Sequence, residues 1–188
     1  MRVLKNFLGV MLVLVSVNVY AQDNVKYLPF PELEAYVGTW KWEAGDSVVI
    51  VNFEIGKNIC LKEYFGTIDE SMALASTDFL LGWHKVIKGN SVSQNSIAKK
   101  DVKSNSLRNS TIQGFCNRDL NSIRLTRFTD LNNNTNPVRG RIKLLDENTM
   151  SIELSMIGEG VHVHFEGEKK PAPVKYQLPL NMVLKRVK

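Results

Sequence analysis

The stretch PVRGRIKLLDENTMSIELSM, Pro137 to Met156, alternates so strictly that it admits one local structure. Val138, Ile142 and Leu144 fall on one parity, and Arg139, Arg141 and Lys143 on the other. After Asp146-Glu147-Asn148 the alternation resumes, with Met150, Ile152, Leu154 and Met156 set against Ser151, Glu153 and Ser155. Successive side chains of an extended chain point to opposite faces, so a period of two sorts these residues into an apolar and a wet face. The segment predicts an antiparallel hairpin with one side buried. Such a hairpin cannot cover its own apolar face and needs partners of the same kind.

The rest of the chain supplies them. GTWKWE, Gly38 to Glu43, puts Trp40 and Trp42 on one face and Lys41 and Glu43 on the other. Gly45-Asp46 is a turn, and SVVIVNFE after it is apolar on both faces. Gly56 to Asn58 predicts another turn, followed by ICLKEYFG with Ile59, Leu61 and Phe65 on a shared face. DFLLGWHKVIKGNSVSQNSI reads as a hairpin about the tight-turn pair Gly89-Asn90. IQGFCN, SIRLTRF, VHVHFEGE and YQLPLNMVLKRVK complete the strands, while residues 98–111 and Thr129 to Pro137 read as loops. Helical spacing is confined to Leu28 to Val37, where Pro31 opens a short helix. About nine or ten short strands with no linker or repeat predict an all-β, antiparallel barrel or sandwich, and closure into a barrel best hides the strand edges.

The first residues obey different rules. Arg2 and Lys5 precede an apolar run from Phe7 to Val17, and Val19-Tyr20-Ala21 offers a cleavage site. A run this short falls below the roughly 20 residues a membrane helix needs. Residues 1–21 are therefore expected to be a secretory signal peptide, with 22–188 a single β-barrel domain, periplasmic or extracellular, without a transmembrane segment. Removing Arg2 and Lys5 leaves 22 basic against 19 acidic side chains, too mild an excess to imply nucleic acid. Cys60 and Cys116 are the two cysteines, an even count that permits a disulfide in an exported chain.

Gly38-Thr39-Trp40 after a short helix resembles the Gly-x-Trp signature of lipocalins and the wider calycin group. The resemblance implies a lipocalin-like barrel of 8–10 strands whose tryptophan plugs the closed end. It also implies a basic residue of the last strand packed on that ring, which here is Arg186. Over most of its length the chain is similar to a family of short uncharacterised exported bacterial proteins. The segments that carry this likeness are GTW, Gly82-Trp83-His84-Lys85, Leu144 to Thr149, and Leu178 to Lys185.

Chemistry is mostly absent from the sequence. His162, His164 and Glu166 share a strand face at a spacing that suits a divalent metal, but that face is also the wet side of an alternating strand. Gly45-Asp46-Ser47 lacks the downstream Asp-x-x-His of a hydrolase and is better read as a turn. Asp130, Asn132 and Asn134 begin like a calcium loop, but Thr135 and Arg141 stand where glycine and glutamate are required. Nothing in the sequence brings Cys60 to His84, and no cofactor motif is present. The outward row Arg139, Arg141 and Lys143 forms a basic stripe that suits anionic glycans or lipid head groups, while the commoner reading is the charged wet face of a sheet. The leading expectation is a non-enzymatic exported barrel that binds a small apolar ligand through Trp40, Trp42, Phe65, Trp83 and Arg186. Ile142, Leu144, Ile152, Leu154, Val163 and Phe165 are expected to line the same interior. The alternative is a structural or surface-interaction protein with a filled core. Interior volume separates the two.

Overall fold

Strands that each bury one face hide their edges by pairing, and eight of the described strands close into a ring. The computed structural model describes residues 26–60, 75–100, 107, 109–117, 122–132, 139–155 and 177–187. Among the described residues ten strands run in chain order: β1 (Lys26–Leu28), β2 (Gly38–Ala44), β3 (Ser47–Cys60), β4 (Ala75–Lys88), β5 (Ser91–Asn95), β6 (Ile112–Asn117), β7 (Ser122–Phe128), β8 (Arg139–Asp146), β9 (Thr149–Ser155) and β10 (Asn181–Arg186). Neighbours in sequence are neighbours in the sheet from β6 to β10 and from β2 to β4. Two further ladders close the ring, β10 on β2 and β4 on β6, both antiparallel. The result is an eight-stranded up-and-down barrel with β1 and β5 as extra strands on β4. The segment expected to open as a short helix is a 3-10 helix, Pro31–Tyr36, with Leu33 and Tyr36 buried.

The expected hairpin of alternating residues forms, with Ile142 opposite Ile152 and Arg141 opposite Glu153, and its register shifts between Leu144 and Asp146. The Asp146 carboxylate accepts the Asn148 amide at 2.7 Å and so closes the turn. The Gly89-Asn90 turn joins β4 to β5. The expected turn at Gly56 to Asn58 is instead a bulge inside β3, whose ladder with β4 resumes at Ile59. Asn58 takes a left-handed φ of 56°. Its amide donates to Asp78 and its side-chain oxygen accepts from Ser76, so the chain bends without leaving the sheet.

One strand position is broken in two. β5 runs beside Lys85 to Lys88 of β4, and β6 runs in the same direction beside Leu80 to Gly82. Between them the Ser96 amide donates to the His84 carbonyl and the Thr111 amide to the Gly82 carbonyl. The ladder along β4 thus continues across an excursion of the chain whose two ends, the Ser96 and Thr111 hydroxyls, lie 3.0 Å apart.

That excursion decides which faces are buried. The main apolar cluster fills the barrel, drawing Trp40 from β2, Val51 and Phe53 from β3, Leu80 from β4, Ile142 from β8 and Ile152 from β9. Leu144, Leu154 and Trp42 also face it. Gly82 is crowded from within, because a Cβ there would meet the Phe53 ring at 2.8 Å and the Ile112 Cβ at 3.0 Å. A second cluster of Phe79, Leu81 and Trp83 sits on the outer face of β4. Trp83 therefore does not line the interior as expected. It packs with Ile97 and Leu107 of the excursion, and its indole N–H donates to the Asn109 carbonyl at 2.9 Å. Lys100 lies 5.1 Å from the Trp83 ring centre and bonds Asn52 and Glu54 on β3, pinning the excursion down. Phe65, Val163 and Phe165 lie outside the described residues.

Candidate functional site

The Gly-Thr-Trp step joins the 3-10 helix to β2 and meets the last strand. Gly38 adopts a φ of 121°, and a Cβ there would stand 3.1 Å from Nη1 of Arg186, so only glycine fits without strain. Register then places Arg186 directly opposite Trp40 in the β10–β2 ladder. Trp40 is fully buried, and its indole N–H donates to the Tyr36 carbonyl at 2.9 Å. The Arg186 guanidinium lies over the ring, 4.1 Å from its centre. Nη1 donates to the Val37 carbonyl and Nη2 to the Ala35 carbonyl, each at 2.7 Å, and Nε to the Glu147 carbonyl at 3.1 Å. One planar cation thereby ties the 3-10 helix, the β8–β9 turn and the last strand to the indole, a use that suits arginine's fixed fork of donors. Both residues are committed to this cap, and Trp42 packs half-buried against the same core.

At the other end lies a buried polar cluster that the sequence reading missed. His84 points inward beside Phe128, with ring centres 5.2 Å apart. Its Nε2 is 2.9 Å from Oε1 of Gln94 and its Nδ1 is 2.9 Å from the Thr111 hydroxyl. The Gln94 amide nitrogen donates to the Asp130 carboxylate at 2.7 Å, so Gln94 must present its oxygen to the ring. That assigns the proton to Nε2 and leaves Nδ1 to accept from Thr111. Burial lowers the His84 pKa, opposed by the Gln94 bond and the Asp130 charge. The imidazole has no accessible surface and is committed to this network. The sequence offered only a polar His84 inside an otherwise apolar run, with nothing to say which face it takes.

Asp130 explains the calcium-like loop. Its carboxylate accepts the amides of Asn132 and Gln177 as well as Gln94, and so anchors the chain before β8 to the chain before β10. Ser47 beside Asp46 sits at the β2–β3 turn as expected. Cys60 pairs with Ser76, eight positions along β4 from His84, or about 26 Å at the usual strand rise. No disulfide joins Cys60 to Cys116. β3 and β6 pair with opposite edges of β4, so two strand spacings, about 9–10 Å across the sheet, lie between the strands that carry the two cysteines. A disulfide spans at most roughly 7 Å between Cα atoms. His162, His164 and Glu166 lie outside the described residues, and no metal-ligand cluster occurs among those that are described.

The outer wall is the remaining surface with concentrated chemistry. Arg124 on β7 stands directly opposite Arg141 on β8, with Arg139 and Lys143 on the same exposed side. Arg124, Arg139, Arg141, Glu153, Ser155 and Asn181 line a groove of about 700 Å³ there. A family model matches residues 1–186. The chain belongs to that family, a family of unknown function (DUF6705). No curated protein and no solved structure matches it. Membership thus brings no activity with it, and function must be argued from the geometry.

Proposed function

We propose that the protein is an exported barrel whose interior is a structural core and whose working part is its outer surface. The observation that carries this is the state of the core. Among the described residues, Trp40, Val51, Phe53, Phe128, Ile142 and Ile152 have no accessible surface at all. A void able to hold even one water would leave accessible area on the side chains around it. A small-molecule pocket of roughly 300 Å³ or more would leave a great deal. The packing supports the filled-core expectation over the ligand-binding one. The residues proposed for a ligand support the same choice: Trp40 and Arg186 occupy each other, and Trp83 faces outward. Export rests on the sequence of residues 1–21.

Native mass spectrometry of protein isolated from its own host tests both halves. The expected species is the bare chain beginning at Gln22, recovered outside the cytoplasm. A lipid or pigment that repeatedly co-purifies would refute the filled core, and an intact Met1 in cytoplasmic material would refute export.

A further inference from the structure

We propose that the outer face of β7 and β8 is a binding groove for a linear acidic polysaccharide. This rests on the surface reading above and names the partner class. Arg124 and Arg141 are cross-strand partners, and like charges placed directly opposite destabilise a sheet. Arg139 and Lys143 extend the row along β8, two residues apart, at about 6.7 Å per step. Arg127 on β7 is exposed beyond them. None of these five cations forms an ion pair with a described carboxylate; Glu153, opposite Arg141, is the acidic side chain described in the groove lining. A fold does not gather mutually repelling cations for its own stability, so the array points to an anionic partner.

Shape and composition narrow that partner. Three of the cations, Arg124, Arg139 and Arg141, line a recess of about 700 Å³, which suits a narrow chain more than a flat bilayer. Ser155 and Asn181 in the same lining offer hydrogen bonds to hydroxyl groups. Single-stranded nucleic acid needs aromatic platforms for its bases. The exposed aromatic among the described residues is Tyr27 on β1, at the capped end of β4 and away from this wall.

The test is fluorescence anisotropy with a labelled galacturonic-acid decamer at low salt, using the full mature chain. The wild type is expected to bind it and to ignore a neutral glucan of equal length. Arg124→Gln with Arg141→Gln is expected to weaken binding about tenfold or more, since charge-assisted contacts are lost. Arg139→Gln with Lys143→Gln should do likewise, which guards against a fault peculiar to the first variant. Lys57→Gln, exposed on β3, should leave the affinity within about twofold. The proposal is overturned if the decamer does not bind, or if Lys57→Gln weakens it equally. Tighter binding of single-stranded DNA or phosphatidylglycerol vesicles through the same arginines also overturns it. A co-purified guest would sink the filled core without touching this result, and an inert groove would leave the core measurement intact.

Discussion

Replacing Arg186 by alanine tests the cap quantitatively. The change removes a cation lying 4.1 Å over Trp40 and three donors to the carbonyls of Val37, Ala35 and Glu147. The stacking is worth about 1 kcal/mol in this half-wet setting. Val37 is half-buried, so losing its partner costs about 1–2 kcal/mol, whereas Ala35 and Glu147 are exposed and water replaces most of theirs, at about 0.5 kcal/mol each. The sum is about 3–4 kcal/mol, which lowers the melting temperature of a chain this size by roughly 6–16 °C. Urea unfolding followed by tryptophan fluorescence measures it. Arg186→Lys keeps the charge but not the fork, and should recover less than half. A double-mutant cycle with Trp40→Phe should give a coupling of about 0.5–1 kcal/mol. A loss below about 1 kcal/mol for Arg186→Ala would show that the 3-10 helix and the barrel hold together without the cap.

Three further outcomes follow from the same geometry. The folded chain resists protonating His84 while the unfolded chain takes a proton near pH 6.5, so stability is held above that pH and lost as pH falls below it. Melting temperatures from pH 8 to 5 should therefore fall more steeply for the wild type than for His84→Gln, and parallel curves would refute the assignment. Gly82→Ala drives a Cβ into Phe53 and Ile112 and should cost about 1–3 kcal/mol by urea midpoint. Asp130→Ala strands the buried Gln94 amide and two backbone donors, for a loss of about 3 kcal/mol and faster hydrogen exchange at Gln177.

Legibility in the sequence followed the length of the patterns. The hairpin of β8 and β9 and its buried face were readable, because alternation over many positions sorts the apolar side chains onto one side; the register shift between Leu144 and Asp146 was not. Arg186 over Trp40 was expected only because the Gly-x-Trp resemblance implies a basic residue of the last strand on that ring; the pairing of β10 with β2 that brings them together is long-range and has no local signal. Trp83 was misplaced for the same physical reason that makes alternation useful. β4 is apolar on both faces, Leu80 inward and Phe79, Leu81 and Trp83 outward, so parity could not say which side was the core. The Gly56 to Asn58 bulge carries the residues of a turn and bends the chain like one; only its pairing with β4 distinguishes them. The His84 cluster joins β4, β5 and the segment after β7, separations of 10 to 46 residues that no local pattern encodes.

The double burial of β4 also bears on where function can sit. A strand with two apolar faces needs a cover outside the barrel, and the interrupted β5–β6 position supplies it by sending the chain out at Ser96 and back at Thr111. That cover takes up the outer wall of β3 and β4, where Lys100 is already bound to Asn52 and Glu54. The capped end is taken up by Arg186, and the His84 end by Gln94 and Asp130, whose polar atoms already hold partners. The wall from β7 to β9 differs, because its cations face water without described counter-ions. Placing a binding role there demands no rearrangement of the core. Placing it inside the barrel would require side chains with no accessible surface to part first, at the cost of a cavity.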